Sequence, residues 1–276
     1  MQDAFAHCEG LVRAADKDRF LTTLFAPAEH RNALLALYAF NLEIARVREV
    51  AHEALAGEIR LQWWSDALEG RGEGHPVAAA LLATIARYQL PLEPLQTLLD
   101  ARRFDLYDEP MRSLVDFETY AEGASAGLIV LATRILAGID TGALTRHAGL
   151  AHAIAGLLAA FAIHAARGQL FVPLDILTRH GATPEDVAGG QATPQLRAAL
   201  AELRAHARQH LGEAQRLLAA APAAVMPALL PVALAGPMLA RMERRGYDPF
   251  TPVELAPWRR QLIIWRAAKQ PGRIFR

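Results

Sequence analysis

Cysteine is nearly missing from this sequence: its 276 residues include one, Cys8. A lone thiol permits no internal disulfide and no cysteine-built metal cluster, and it fits a reducing compartment. An excess of one charge is missing too, with 29 Lys+Arg against 29 Asp+Glu. Without a global basic field, nucleic acid is not an expected partner. Runs of Val, Ile and Thr are scarce, and strand-forming material with them. No Ser/His/Asp set, P-loop or zinc-spaced cluster stands out to offer a chemistry of its own. The opening MQDAFAHCEG has neither a basic region nor a continuous apolar stretch, so a secretory signal is not expected.

What is present is apolar and helix-forming. Hydrophobic residues make up 53% of the chain and charged residues 21%, and the apolar part is mostly Ala and Leu. That is ample for a large core and too apolar for a disordered chain. Residues 217–240 carry no formal charge, and between Arg146 and Arg167 the polar interruptions are His147, His152 and His164. Either stretch approaches the ~20 residues a bilayer span needs. The first contains Pro222, Pro227, Pro231 and Pro237, which would break its backbone ladder in lipid, and the second is rich in Ala and Gly. Both are read as buried core helices.

Helical signals run from end to end. Residues 31–49 lack Gly and Pro and repeat apolar side chains every three or four positions; residues 58–69 do the same around Trp63 and Trp64. Pro76 marks a first helical turn, and Pro91 ends that helix and opens one through Leu95, Leu98, Leu99 and Arg102. A long segment follows over 114–137. Residues 143–166, apolar all round, predict one central helix. Thr183-Pro184-Glu185-Asp186 and Thr193-Pro194 are capped helix starts. Beyond the second, Leu196, Leu200, Leu203, Ala207, Leu211, Ala214 and Leu218 trace an amphipathic stripe, with Arg197, Arg204, Arg208 and Arg216 as a solvated face. No long linker or repeat divides the chain, and Gly181–Thr193 is too short to force two domains. The expectation is one all-α domain over residues 1–276, without a β-sheet or Rossmann unit.

Several short phrases resemble squalene/phytoene synthases: Asp18-Arg19-Phe20, LFAPAEHRNALLALYAF, His75-Pro76-Val77, Phe104-Asp105-Leu106, and Arg167-Gly168-Gln169-Leu170-Phe171-Val172-Pro173. They fall in order across about residues 18–175. The resemblance implies the isoprenoid synthase fold, with helices around a deep apolar cavity. It also implies condensation of two prenyl diphosphates, with Mg²⁺ at the cavity mouth held by aspartates from two facing helices. Spacing of i and i+4 sets each pair of carboxylates on one helical face.

The matching positions depart from that pattern. The first motif falls on Ala45-Arg46-Val47-Arg48-Glu49 and keeps one carboxylate, Glu49. The second falls on Ala160-Phe161-Ala162-Ile163-His164, and no Asp or Glu occurs from Thr141 to Leu174. One glutamate does not make a magnesium cluster, neutral imidazole is a poor Mg²⁺ ligand, and Arg46 and Arg48 would repel the ion. A narrower resemblance fits these departures. Tyr120-Ala121-Glu122 through Leu136-Ala137-Gly138, Phe171-Val172-Pro173-Leu174-Asp175-Ile176-Leu177, and His180-Gly181 with Glu185-Asp186 are similar to one branch of the family. That branch holds the phytoene-synthase-like mitochondrial complex I assembly factor and its bacterial relatives, and keeps the fold without the full aspartate set. The compact, alanine-rich style, with no evident transit peptide, points to the bacterial side.

The resulting expectation is a binding or assembly protein linked to respiratory complex I, with no catalytic residue, no metal and no cofactor. Its partners would be a complex subunit or assembly protein, and a lipid or prenyl tail in the cavity. It would be cytoplasmic and peripheral on the inner membrane. Arg46, Arg48 and Arg167 are candidate anion-binding residues, since guanidinium pairs readily with phosphate; a surface ladder of Glu43, Arg46 and Glu49 is the plainer reading. His152 and His164 are read as core histidines, Phe40, Trp63 and Trp64 as packing, and Arg102-Arg103 with Asp105 as a polar cavity rim. Arg259, Arg260, Arg266, Lys269, Arg273 and Arg276, interleaved with Trp258, Ile264 and Trp265, form either a membrane-facing patch or a solvated tail. The alternative is an active prenyl transferase using Mg²⁺ on Glu43, Glu49, Glu53 and Asp105.

Overall fold

The computed structural model describes every residue except His52, Glu73 and Asp108. Helices follow one another along the chain, and no strand forms among the described residues. Asp16 separates α1 (Gln2–Ala15) from α2 (Lys17–Thr23) and caps the latter, its carboxylate accepting the Arg19 N–H at 3.0 Å. α3 (Ala28–Ala45) buries Ala33 through Asn41 and Ile44, then turns at Arg46 into the single turn of α4 (Val47–Val50). α5 (Ala54–Asp66) continues in a π-helical turn over Ala67–Arg71. α6 (Pro76–Tyr88) carries Pro76 in its first turn and ends on Gln89 in the left-handed region, φ 49°. α7 (Glu93–Phe104) buries Leu95, Leu98 and Leu99, the positions the apolar spacing picks out.

α8 (Leu114–Ala121) and α9 (Gly127–Ala137) are joined through a π-helical turn at Glu122–Ala126, so the long segment is continuous but locally underwound. Gly123 in this turn approaches α7, where a β-carbon would stand 3.0 Å from Ala101 Cβ. α10 (Ala143–Ala159) lies at the centre and packs against α14 (Pro194–Leu217), the π turn and α16 (Ala235–Met242). The single helix expected over 143–166 is instead interrupted at Ala160, whose φ −92° and ψ 6° separate α10 from α11 (Phe161–Ala166). The Val253 N–H, from a distant loop, donates to the Ala159 carbonyl at 3.1 Å, and the Ile163 N–H shortens to the Ala160 carbonyl at 2.9 Å. An outside donor entering the ladder is a recognised cause of a kink, and no local residue signals it.

α12 (Leu174–His180) and α13 (Pro184–Ala188) follow, the latter with a complete capping box between Thr183 and Asp186. Thr193 caps α14, and all seven residues of its apolar stripe are buried. Its arginines are less free than a solvated face implies. Arg208 grips the Glu243 carboxylate at 3.0 and 3.1 Å, and Arg197 donates to the Tyr247 carbonyl. The core helix expected over 217–240 is instead a run of short turns around α15 (Met226–Leu229), interrupted by Pro222, Pro227 and Pro231, before α16 begins at Ala235. Leu114–Ala137 and Ala223–Met242 are apolar and long enough to cross a bilayer, but 72% and 67% of their windows are buried inside the protein. They are core. α17 (Pro257–Lys269) closes the bundle, with Arg260 paired to Asp18 from 242 residues away.

Candidate functional site

The turn at Arg46 separates Ala45, at the end of α3, from Arg48 and Glu49 on α4. Glu49 faces across to Arg167, just beyond α11, whose two terminal nitrogens lie 3.3 and 3.4 Å from its carboxylate. Elements that match the two family motifs are thus bridged by an ion pair. Arg48 donates to the Leu106 carbonyl. Arg46 lines a pocket of about 390 Å³ together with Glu43, Arg60, Trp63, Trp64 and His75. Burial, with Glu43 opposing it, holds His75 below its ordinary pKa. Phe40, Trp63 and Trp64 stack edge to face with centroids 5.0–5.2 Å apart, so they pack, and Trp63 and Trp64 also wall this pocket. The three candidate anion-binding arginines are therefore dispersed: Arg46 in the pocket, Arg48 on a backbone carbonyl, Arg167 on Glu49.

Arg102 and Asp105, expected as a polar rim, form a partly buried triad with Tyr120 among aromatics. Arg102 Nη1 donates to Asp105 Oδ2 at 3.1 Å and to Tyr120 Oη at 3.3 Å, and the Tyr120 hydroxyl donates to Asp105 Oδ1 at 2.8 Å. Burial, more than any charge, pushes the Tyr120 phenol above its ordinary range, so it remains a donor. Phe104, Tyr120 and Phe171 stack around the triad with centroids 5.4–5.9 Å apart, and His164 meets Phe171 edge-on at 4.7 Å. His164 Nδ1 lies 3.3 Å from Gln169 Oε1, and burial lowers its pKa. The apolar interior beside it, between Phe117, Phe161 and Phe171, narrows to a slot of about 10 Å³.

Arg19, from the Asp18-Arg19-Phe20 phrase, belongs to a second interior cluster. It pairs with Asp16 at 2.7 Å and lies 5.6 Å from the Tyr38 ring centre. Burial foremost, and then the Arg19 charge, brings His152 down to about 4. Burial alone would raise Asp16, but the Arg19 charge and hydrogen bonds bring it below its ordinary value. A histidine whose pKa is lower in the folded state stabilises fully above about 6.5 and loses that contribution as pH falls toward 4. The loss attributable to His152 amounts to about 3 kcal/mol. The Asp16 contribution is lost lower still, as pH drops through its depressed folded value. In melts recorded from pH 7 to 4, His152→Gln is expected to flatten the dependence by about one proton; an unchanged slope would refute the assignment.

One constellation escaped the sequence reading altogether. His206 and His210 on α14 meet Glu118 on α8 and His147 on α10. Burial lowers His147 and brings His210 down to about 4. The i, i+4 spacing of the two α14 histidines was available as a signal; the glutamate 88 residues away was not.

With the fold and these positions described, the class is clear: an all-α isoprenoid-synthase-type domain. The squalene/phytoene synthase family profile matches residues 12–266, and the chain belongs to that family. It is 31% identical over 256 residues to rat NADH dehydrogenase (ubiquinone) complex I, assembly factor 6, covering 91% of this chain and 77% of the relative. It is 26% identical to chloroplastic phytoene synthase 2 of Oryza sativa subsp. japonica, covering 90% of this chain and 66% of that one. Among solved structures, squalene synthase HpnC from Alicyclobacillus acidocaldarius superposes with a TM-score of 0.80 at 25% identity, covering 90% of this chain and 96% of that one.

Proposed function

We propose that this protein is an assembly or binding factor for respiratory complex I, built on a prenyl-synthase scaffold but not itself a prenyl transferase. The observation that carries this reading is the side-chain set at the motif positions, where Glu49 is the one carboxylate and faces Arg167 in an exposed ion pair at 3.3 Å. Mg²⁺ clusters need several hard oxygens in near-octahedral geometry. Here Ala45 and Ala160 offer no donor, His164 turns to Gln169, and Asp105 is held by Arg102 and Tyr120. Among the described residues, the set of three metal-ligating side chains that gathers within 4.8 Å is Glu118, His206 and His210, to which neither Glu49 nor Asp105 belongs. The side chains at the motif positions supply too few hard oxygens for a diphosphate-binding magnesium cluster, which weighs against the active-transferase alternative. Similarity to a relative named as a complex I assembly factor, over nine-tenths of the chain, supports the assembly role.

The same reading places the protein in the cytoplasm, resting on the inner membrane. Trp258 and Trp265 are 60% and 52% exposed on α17, seven residues apart and therefore on one face, with Arg259, Arg266 and Lys269 beside them. Exposed Trp flanked by cations suits an anionic lipid surface. The pocket of about 390 Å³ beside Arg46, Arg60 and Trp63 would take a lipid head group or prenyl tail.

The test has three arms. A deletion strain should contain less assembled complex I, restored by wild type and equally by Glu49→Ala. Purified protein given farnesyl diphosphate and Mg²⁺ should release no pyrophosphate. Trp258→Ser/Trp265→Ser should bind anionic vesicles several-fold more weakly. Normal complex I in the deletion strain, or turnover abolished by Glu49→Ala, refutes the assembly reading; unchanged vesicle binding refutes the membrane contact.

A further inference from the structure

Three helices converge on a cluster far from the motif positions. His206 and His210 stand four residues apart on α14 and so project from one face. Glu118 reaches them from α8. His206 Nε2 lies 2.7 Å from Glu118 Oε1 and 3.2 Å from His210 Nε2, and His210 Nε2 lies 3.6 Å from the same oxygen. An ion held tetrahedrally by bonds of about 2.0–2.1 Å keeps its ligand atoms roughly 3.3 Å apart. The three separations bracket that spacing. We propose that Glu118, His206 and His210 form a binding site for a borderline transition-metal ion, Zn²⁺ foremost, with water as the fourth ligand.

The surroundings are arranged as such a site requires. His210 Nδ1 lies 2.8 Å from His147 Nδ1, so one of these nitrogens must carry the shared proton. With the proton on His210, its Nε2 keeps a lone pair aimed at the cluster, and His147 acts as the outer partner that metal-bound imidazoles usually have. Arg146 lies 3.6 Å from Glu118 Oε2 and also pairs with Glu122, leaving Oε1 directed at the histidines. The His210 side chain is 7% exposed, but those of His206 and Glu118 are 18% and 25% exposed, leaving a solvent side for water. Two imidazoles and one carboxylate select Zn²⁺ and its neighbours over Mg²⁺ and Ca²⁺, which want all-oxygen shells. A bound ion would staple α8 to α14 beside α10.

The experiment uses the full chain, free of tags and stripped of metal. Zn²⁺ should bind with one ion per chain, and Co²⁺ should develop the visible absorption of a tetrahedral site. Hundredfold excess over Kd should raise Tm by about 5 °C or more. Glu118→Gln and His206→Gln should each weaken Zn²⁺ binding tenfold or more and abolish the Co²⁺ band, while their metal-free forms melt like metal-free wild type. His7→Gln, at an exposed position of α1, should bind as wild type does. Absence of one-to-one Zn²⁺ binding at micromolar concentration, or equal binding by Glu118→Gln, overturns the site and leaves a hydrogen-bonded His–Glu relay. Both readouts use purified protein, so they stand or fall separately from the assembly role.

Discussion

Asp105→Ala is expected to destabilise the protein by up to about 3 kcal/mol, the lower end of the cost of removing one partner from a buried ion pair, because this pair is only partly buried. The side chains of Arg102 and Asp105 are 17% and 13% exposed, and Tyr120 completes their hydrogen bonds. Without the carboxylate, a guanidinium remains among Phe104, Tyr120 and Phe171 with nothing to neutralise it, and the Tyr120 hydroxyl loses its acceptor. The large effect therefore measures a stranded charge, not the net worth of the pair. Replacing both partners by apolar residues, Arg102→Met with Asp105→Leu, is expected to recover most of the loss. Denaturant midpoints of the two single variants and the double variant decide this, and a double variant no better than Asp105→Ala would sink the account.

Gly149→Val is expected to cost about 1–3 kcal/mol, at the upper end of that range, because it overpacks a helix crossing with no flexible side chain to yield. A β-carbon at Gly149 would stand 2.4 Å from Ala126 Cα and 2.7 Å from Ala126 N, so the π turn between α8 and α9 would have to move. Gly156 provides the control on the same helix. It is exposed, with nothing within 4 Å of its β-carbon position. There the change to alanine should follow intrinsic helix propensity and stabilise by about 1 kcal/mol. Opposite signs at two glycines seven residues apart in α10 are the expected result, read by thermal or denaturant unfolding. Equal effects would show that the crossing is looser than its geometry.

Much of the fold was legible in the residues. The α14 stripe, the Thr183 and Thr193 caps and the Pro76 start emerged as read, whereas the uncharged stretch over 217–240 is buried mainly from Val225 onward and is broken into short elements. Each depends on interactions within one or two helical turns, or on composition, and so is written locally. The ordered phrases shared with squalene/phytoene synthases carried the family. The interruption at Ala160 was not legible, because the N–H that causes it belongs to Val253. The α14 arginines were read as a solvated face, and Arg197 and Arg216 are exposed, but the surface partners of Arg208 and Arg197, Glu243 and the Tyr247 carbonyl, come from distant segments that spacing does not announce.

By itself, then, the sequence determined an all-helical domain with an apolar interior, and which side chains stand at the motif positions. Tertiary structure alone decided what those side chains meet: Glu49 with Arg167 across 118 residues, Asp105 with Tyr120, and Glu118 with His206 and His210. Helical periodicity and capping operate over three or four residues, whereas ion pairs and ligand clusters form wherever rigid helices bring charges and lone pairs within a few ångströms. Beyond the i, i+4 pair His206 and His210, that spatial meeting leaves no trace in spacing along the chain.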